Sequence, residues 1–201
     1  MPEHDFDTVT QYASPDLIGA MAYREHPVID DPNWRLSGAD TRAEYARWAG
    51  NICGMACLSM ALLHRHGASP TLFQLLKGAR RHGAYVERED GTIKGLIYDP
   101  FVRYVRTELD LGAETQAQLP MRDLLMLLSQ GFTVIASVHK EIRRPERPAP
   151  GKGGHLIYAT GTSDGRIHFR NPSGHTEGAR TAILPAEVFA RFYAERGVSL
   201  A

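Results

Sequence analysis

Cysteine is scarce: the 201-residue chain has two, Cys53 and Cys57. They stand four apart, which on a helix places both on one face in a spacing unsuited to a disulfide. A disulfide framework and a four-cysteine zinc site are therefore excluded by number. Packing or catalysis remains. A surplus of either charge is also missing, since 23 Lys and Arg balance 23 Asp and Glu. Without a global basic field, neither nucleic acid nor an anionic membrane is an expected partner. Apolar runs are short, the longest being Leu124–Leu128 and Phe132–Val138, against the roughly 20 residues that span a bilayer. The start, Met1-Pro2-Glu3-His4-Asp5, has neither a basic nor an apolar stretch, so no secretory signal is expected and the cytoplasm is the expected compartment.

What is present suffices for a core. Apolar residues make up 43% and charged residues 23% of the chain, a globular balance, and the length suits one domain. Residues 1–47 read as an N-terminal extension of loops and turns, punctuated by Ser14-Pro15, His26-Pro27, Asp31-Pro32 and Ser37-Gly38. Residues 48–131 read as a helical half. A long apolar helix starts near Cys53 after a break at Gly50-Asn51 and closes at Gly67. Ser69-Pro70 predicts the cap of the next helix, Asp99-Pro100 that of another, and Met121–Gly131 carries one more.

Residues 132–201 read as a sheet half. FTVIASVHK, HLIYATGT and RIHFRN are rich in β-branched residues, and Ser163-Asp164-Gly165 is a hairpin turn between the last two. A further strand is expected at Ala113–Gln118, and Pro185–Arg196 is expected to close the chain as a helix. Helices followed by an antiparallel sheet give the α+β class. Between the first two strands, residues 139–154 hold three prolines and three glycines, which predicts a loop.

Two residue types at two places suggest chemistry. Cys53 at a helix N-terminus meets unpaired N–H groups and the positive end of the dipole, which lowers a thiol pKa and favours the nucleophilic thiolate. Gly54 beside it leaves room for a substrate. Cys57, one turn further in among Leu58, Ala61 and Leu62, reads as core. His155 opens a strand after Gly153-Gly154, and Asn171 ends the next strand of the hairpin, so the two can lie side by side. The Asn171 amide oxygen then accepts one ring N–H of His155 and fixes its tautomer. Each also has a structural explanation: a buried helix-start Cys, a strand-start His, a turn Asn before Pro. His64 and His66 read as structural residues at a helix C-terminus, and Trp34, Tyr45 and Trp48 as core.

The run Cys53-Gly54-Met55-Ala56-Cys57-Leu58-Ser59-Met60 resembles the start of the first helix in the bacteriocin-processing, double-glycine leader peptidases, which are papain-like cysteine proteases. Gly154-His155-Leu156-Ile157-Tyr158, followed by Phe169-Arg170-Asn171-Pro172-Ser173-Gly174, resembles that family's His strand and its acidic-Pro-x-Gly turn. The resemblance implies a papain-like fold with Cys53 as nucleophile, His155 as base and Asn171 as orienter in place of the usual Asp. Papain itself uses Asn there. No metal and no cofactor are expected. One departure is larger: the Gln usual six residues before the Cys is Arg47 here, so Asn51 and the Cys53 N–H are the candidate oxyanion donors. A helix N-cap is the alternative role for Asn51.

Three functions stay open. They are a cysteine peptidase, an amide-forming or acyl-transferring enzyme acting on a peptide or a carrier-bound acyl group, and a silent peptide-binding domain. No phosphate-binding loop of the form GxxxxGK[ST] is present. The loop leading to His155 has a surplus of three positive charges, and Arg143, Arg144 and Arg147 are its candidate substrate-binding residues, set on a flap at the cleft.

Overall fold

The computed structural model describes residues 6–201; the start that lacks a signal pattern, Met1–Asp5, lies outside the described residues. Up to residue 41 the chain makes 3-10 turns and one short helix, α1 (Ile18–Ala22). The helices that follow are α2 (Arg42–Trp48), α3 (Cys53–His66), α4 (Leu72–Arg81), α5 (Tyr98–Glu108) and α6 (Met121–Ser129), with α7 (Glu177–Arg180) and α8 (Ala186–Ala190) later. A small hairpin pairs β1 (Val86–Glu87) with β2 (Ile93–Lys94). The main sheet holds β3 (Ala113–Gln116), β4 (Thr133–Val138), β5 (His155–Ser163), β6 (Arg166–Arg170), β7 (Thr181–Pro185) and β8 (Tyr193–Leu200). Its order is β3-β8-β4-β5-β6-β7, antiparallel throughout.

Local chemistry accounts for most boundaries. α3 ends where Gly67 takes φ +70°, a left-handed residue that costs glycine little. Asp164 and Gly165, at φ +49° and +70°, give the two left-handed positions that a tight hairpin requires. α4 starts two residues later than Ser69-Pro70 suggests. Thr71 and Gln74 form a reciprocal capping box there, the Thr71 hydroxyl accepting from the Gln74 N–H and Gln74 Oε1 accepting from the Thr71 N–H at 2.9 Å. α5 is capped by Ile97, with Pro100 inside its first turn.

The expected C-terminal helix over Pro185–Arg196 is corrected. Only Ala186–Ala190 is helical, and Tyr193 onward enters the sheet between β3 and β4. Tertiary pairing on both sides overrides the weak local signal of a segment that opens YAER. β7 is likewise a strand that the sequence does not announce.

The sheet buries both faces, following the two-residue alternation of its strands. Ile135, Leu156, Tyr158, Val198 and Leu200 pack with α3, α4 and α5. Val134, Ala136, Val138, Ile157, Ala159, Ile167 and Phe169 pack with α6 and with Phe189 and Phe192. The expected core residues Trp34, Tyr45, Trp48 and Cys57 are all buried.

Beyond β6 the chain turns sharply. Asn171 N–H donates to the Arg180 carbonyl at 2.7 Å, and Gly174 N–H to the Asn171 carbonyl at 3.1 Å. A Cβ on Gly174 would lie 2.4 Å from the Ala179 backbone. Gly174→Ala is expected to force these segments apart and to cost about 1–3 kcal/mol, the range for overpacking a filled site. Thermal unfolding measures it as a lower Tm.

Candidate active site

Cys53 is the first residue of α3, after a 3-10 turn over Ala49–Asn51. His155 is the first residue of β5. Both line one cleft of about 460 Å³, walled also by Asn51, Ile93, Lys94, Leu96, Tyr98, Ser137 and Arg196. Gly54 does not open the site to a substrate, as its place beside the thiol suggested. It is buried, and its missing Cβ admits Tyr85, Leu96 and Leu156, whose nearest atoms lie 2.8–3.2 Å from where a Cβ would be.

His155 and Asn171 are brought together. Nε2 of His155 lies 2.9 Å from Oδ1 of Asn171, with both side chains buried. Ser173, which the sequence reading passed over as a turn residue, completes the group. Its N–H and its hydroxyl both donate to Asn171 Oδ1, at 3.1 and 3.3 Å, and its Oγ lies 3.1 Å from His155 Nε2. Because a backbone N–H can only donate, the Ser173 N–H requires that the atom facing it be the Asn171 oxygen. That oxygen then accepts from His155 Nε2–H, so the ring's proton sits on Nε2 and Nδ1 keeps its lone pair. Asn171 Nδ2 is buried without a partner.

Electrostatics differ from expectation. Burial pushes the Cys53 thiol up to about 11, against the lowering pull of the Leu156, Gly54 and Cys53 N–H groups. The helix start does act on the sulfur, but loss of water outweighs it. Burial pushes His155 down to about 4; the Asn171 hydrogen bond opposes this, and the charge of Arg143 adds to it. The pair therefore rests as thiol and neutral imidazole. An Asp at 171 would stabilise an imidazolium, whereas an amide carries no charge to do so.

The remaining candidates are placed as follows. Asn51 is exposed on the cleft wall, its Nδ2 donating to the Arg47 carbonyl at 3.5 Å. It is not the cap of α3, which is Ile52. Arg47 pairs with Glu87 at 2.6 Å and donates to the Gly91 carbonyl, tying α2 to the β1–β2 hairpin. None of the three loop arginines lines the cleft. Lys140–Arg143 is a 3-10 turn rather than open loop. Arg143 is buried, its Nε donating to the Lys140 carbonyl at 2.8 Å and its guanidinium 5.3 Å from the Tyr23 ring centre. Arg144 pairs with Glu141 and lies 4.4 Å from the same ring centre. Arg147 is 3.7 Å from the Glu146 carboxylate. His64 Nδ1 lies 3.0 Å from the Tyr158 hydroxyl.

No protein-family model matches the sequence, and no curated protein matches it. Solved structures do. A C39-like peptidase from Bacillus anthracis superposes with a TM-score of 0.55 at 12% identity, over 75% of this chain and 88% of that one. The peptidase domain of Streptococcus ComA, a bifunctional ABC transporter of a quorum-sensing pathway, gives 0.49 at 15% identity, over 75% and 91%. The Bacillus likeness carries the fold: helices packed on an antiparallel sheet in the α+β, papain-like architecture of a C39-like peptidase.

Proposed function

We propose that the chain is a cysteine peptidase in which Cys53 is the nucleophile, His155 the general base and Asn171 the residue that orients the base. The observation that carries this is the Asn171 oxygen, held by two Ser173 donors and aimed at His155 Nε2. It leaves the Nδ1 lone pair of His155 for the thiol proton in the cleft that both residues line. The structural likeness to a peptidase supports a peptide as the substrate class.

Since thiol and imidazole rest neutral, the proton moves as the sulfur attacks rather than beforehand. His155 Nδ1 takes the Cys53 proton while the sulfur adds to the scissile carbonyl carbon. The developing oxyanion meets the Cys53 N–H and the side-chain amide of Asn51, which lines the same cleft. His155 then returns the proton to the leaving amine nitrogen, the C–N bond breaks, and a thioester forms on Cys53. Water, activated by the same ring, releases the acid and restores the thiol.

Mass spectrometry of a quenched reaction with a peptide substrate tests the step directly: the adduct is expected on Cys53, and neither Cys53→Ala nor His155→Ala should accumulate it. An adduct elsewhere removes the proposal. If the Asn51 amide holds the oxyanion, Asn51→Ala should lower kcat about 10²–10³-fold with little change in KM.

The pH profile is a separate check. Only the neutral imidazole accepts a proton, so kcat/KM should hold at acid pH and fall as His155 protonates near pH 4. Asn171→Asp places a carboxylate at 2.9 Å range of the ring, favours the imidazolium and should move that limb upward, past the ordinary imidazole value of about 6.5. NMR titration of the His155 C2 proton reads the same shift without substrate.

A further inference from the structure

The cleft has a second polar group that takes no part in the chemistry above. β8 is irregular opposite β4: Ala136 pairs with Gly197 and Val138 with Tyr193, so Ala194, Glu195 and Arg196 all face the single residue Ser137. Glu195 takes φ +50° to make this possible, an uncommon conformation for a residue with a side chain. Such bulges re-aim side chains, and here the result is that Arg196 lines the cleft.

The segment before β5 runs beside the start of β8, Gly153 N–H donating to the Phe192 carbonyl at 3.4 Å, and at the point where a Gly153 Cβ would be, Ala194 Cβ lies 3.2 Å away and Arg196 Nη2 3.3 Å away. Ser137 Oγ is also 3.3 Å from that point. Gly153, at φ +79°, thus leaves open the space where the guanidinium and the hydroxyl meet. Tyr98 is hydrogen-bonded to both Ser137 and Arg196, which holds the guanidinium beside the segment that leads into His155. The cleft lining carries two cations, Lys94 and Arg196, and no carboxylate. Among the described residues neither cation has a carboxylate partner.

We propose that Arg196, Tyr98 and Ser137 form a carboxylate subsite, so that the cleft selects peptides with an acidic side chain one or two residues from the scissile bond. This rests on the peptidase reading for the word scissile, but the subsite itself does not. A guanidinium fork matches a carboxylate in two parallel hydrogen bonds, and the Tyr98 hydroxyl, which accepts from Ser137 and Arg196, has its own proton left to donate. An extended peptide advances about 3.3 Å per residue. A carboxylate at Gly153, two residues before His155, therefore belongs to a residue next to the reacting one or one beyond.

The test compares two thiol reagents that differ only in charge, N-iodoacetyl-glutamate amide and N-iodoacetyl-glutamine amide, with Cys53 alkylation followed by mass spectrometry at low salt and constant pH. The ratio of the two rates cancels any change in the thiol itself. The acidic reagent should react about tenfold faster, the order of gain that hydrogen bonds to a charged group provide. The ratio should fall toward one in Arg196→Gln and in high salt, and stay intermediate in Arg196→Lys, which keeps the charge and loses the fork.

A ratio near one in the native protein, or a high ratio that Arg196→Gln leaves intact, overturns the proposal. So does a collapse in Lys94→Gln with none in Arg196→Gln. Alkylation needs no turnover, so a high ratio without peptide cleavage leaves the subsite and removes the peptidase reading. An acyl-enzyme on Cys53 with a ratio of one does the reverse.

Discussion

The site depends on one oxygen. Asn171 Oδ1 collects the Ser173 N–H, the Ser173 hydroxyl and the His155 Nε2–H, and a donor on each approach leaves the amide no freedom to turn over. Asn171 is itself fixed because its backbone bonds to Arg180 and its own carbonyl accepts from Gly174. A buried amide with its NH2 unpartnered carries a desolvation cost of roughly 1–3 kcal/mol. The fold tolerates that cost at the point where the tautomer of one histidine is decided. With no carboxylate in the group and Arg143 nearby, the ring has no reason to hold a second proton.

Much of this was legible in the sequence because it is local. A glycine stop, a hairpin glycine and a cysteine at a helix start report conformations set within a few residues, and Gly67, Asp164-Gly165 and Cys53 sit where that chemistry puts them. The pairing of His155 with Asn171 followed from two strands and one turn. The failures are non-local. β8 opens with Tyr193 and then the bulged Ala194, Glu195 and Arg196, and becomes a strand only because β3 and β4 flank it. The thiol's raised pKa reflects desolvation by the elements packed around it, which no motif encodes. Ser173 looks like any turn serine until Asn171 is found beneath it.

Arg47 has a structural task of its own. A glutamine is usual at this position in papain-like enzymes, and this chain has a cation there that turns away to Glu87 and Gly91. The hairpin it fastens supplies Ile93 and Lys94 to the cleft wall. The position still serves the cleft, by holding a wall rather than by offering a donor.

The place of β8 has a consequence for the newborn chain. Tyr193–Leu200 is made after every other strand, yet it lies inside the sheet. Until it arrives, β3 has no strand partner, and β4 shows the unpaired edge of a four-stranded remnant. Pairing between strands tens of residues apart in sequence is slow to form, and here it cannot begin before synthesis of these residues. Arg196 enters with β8, so one wall of the cleft is last to be built. Translation order thus leaves Cys53 in an unfinished cleft until β8 has been made and has found its place between β3 and β4.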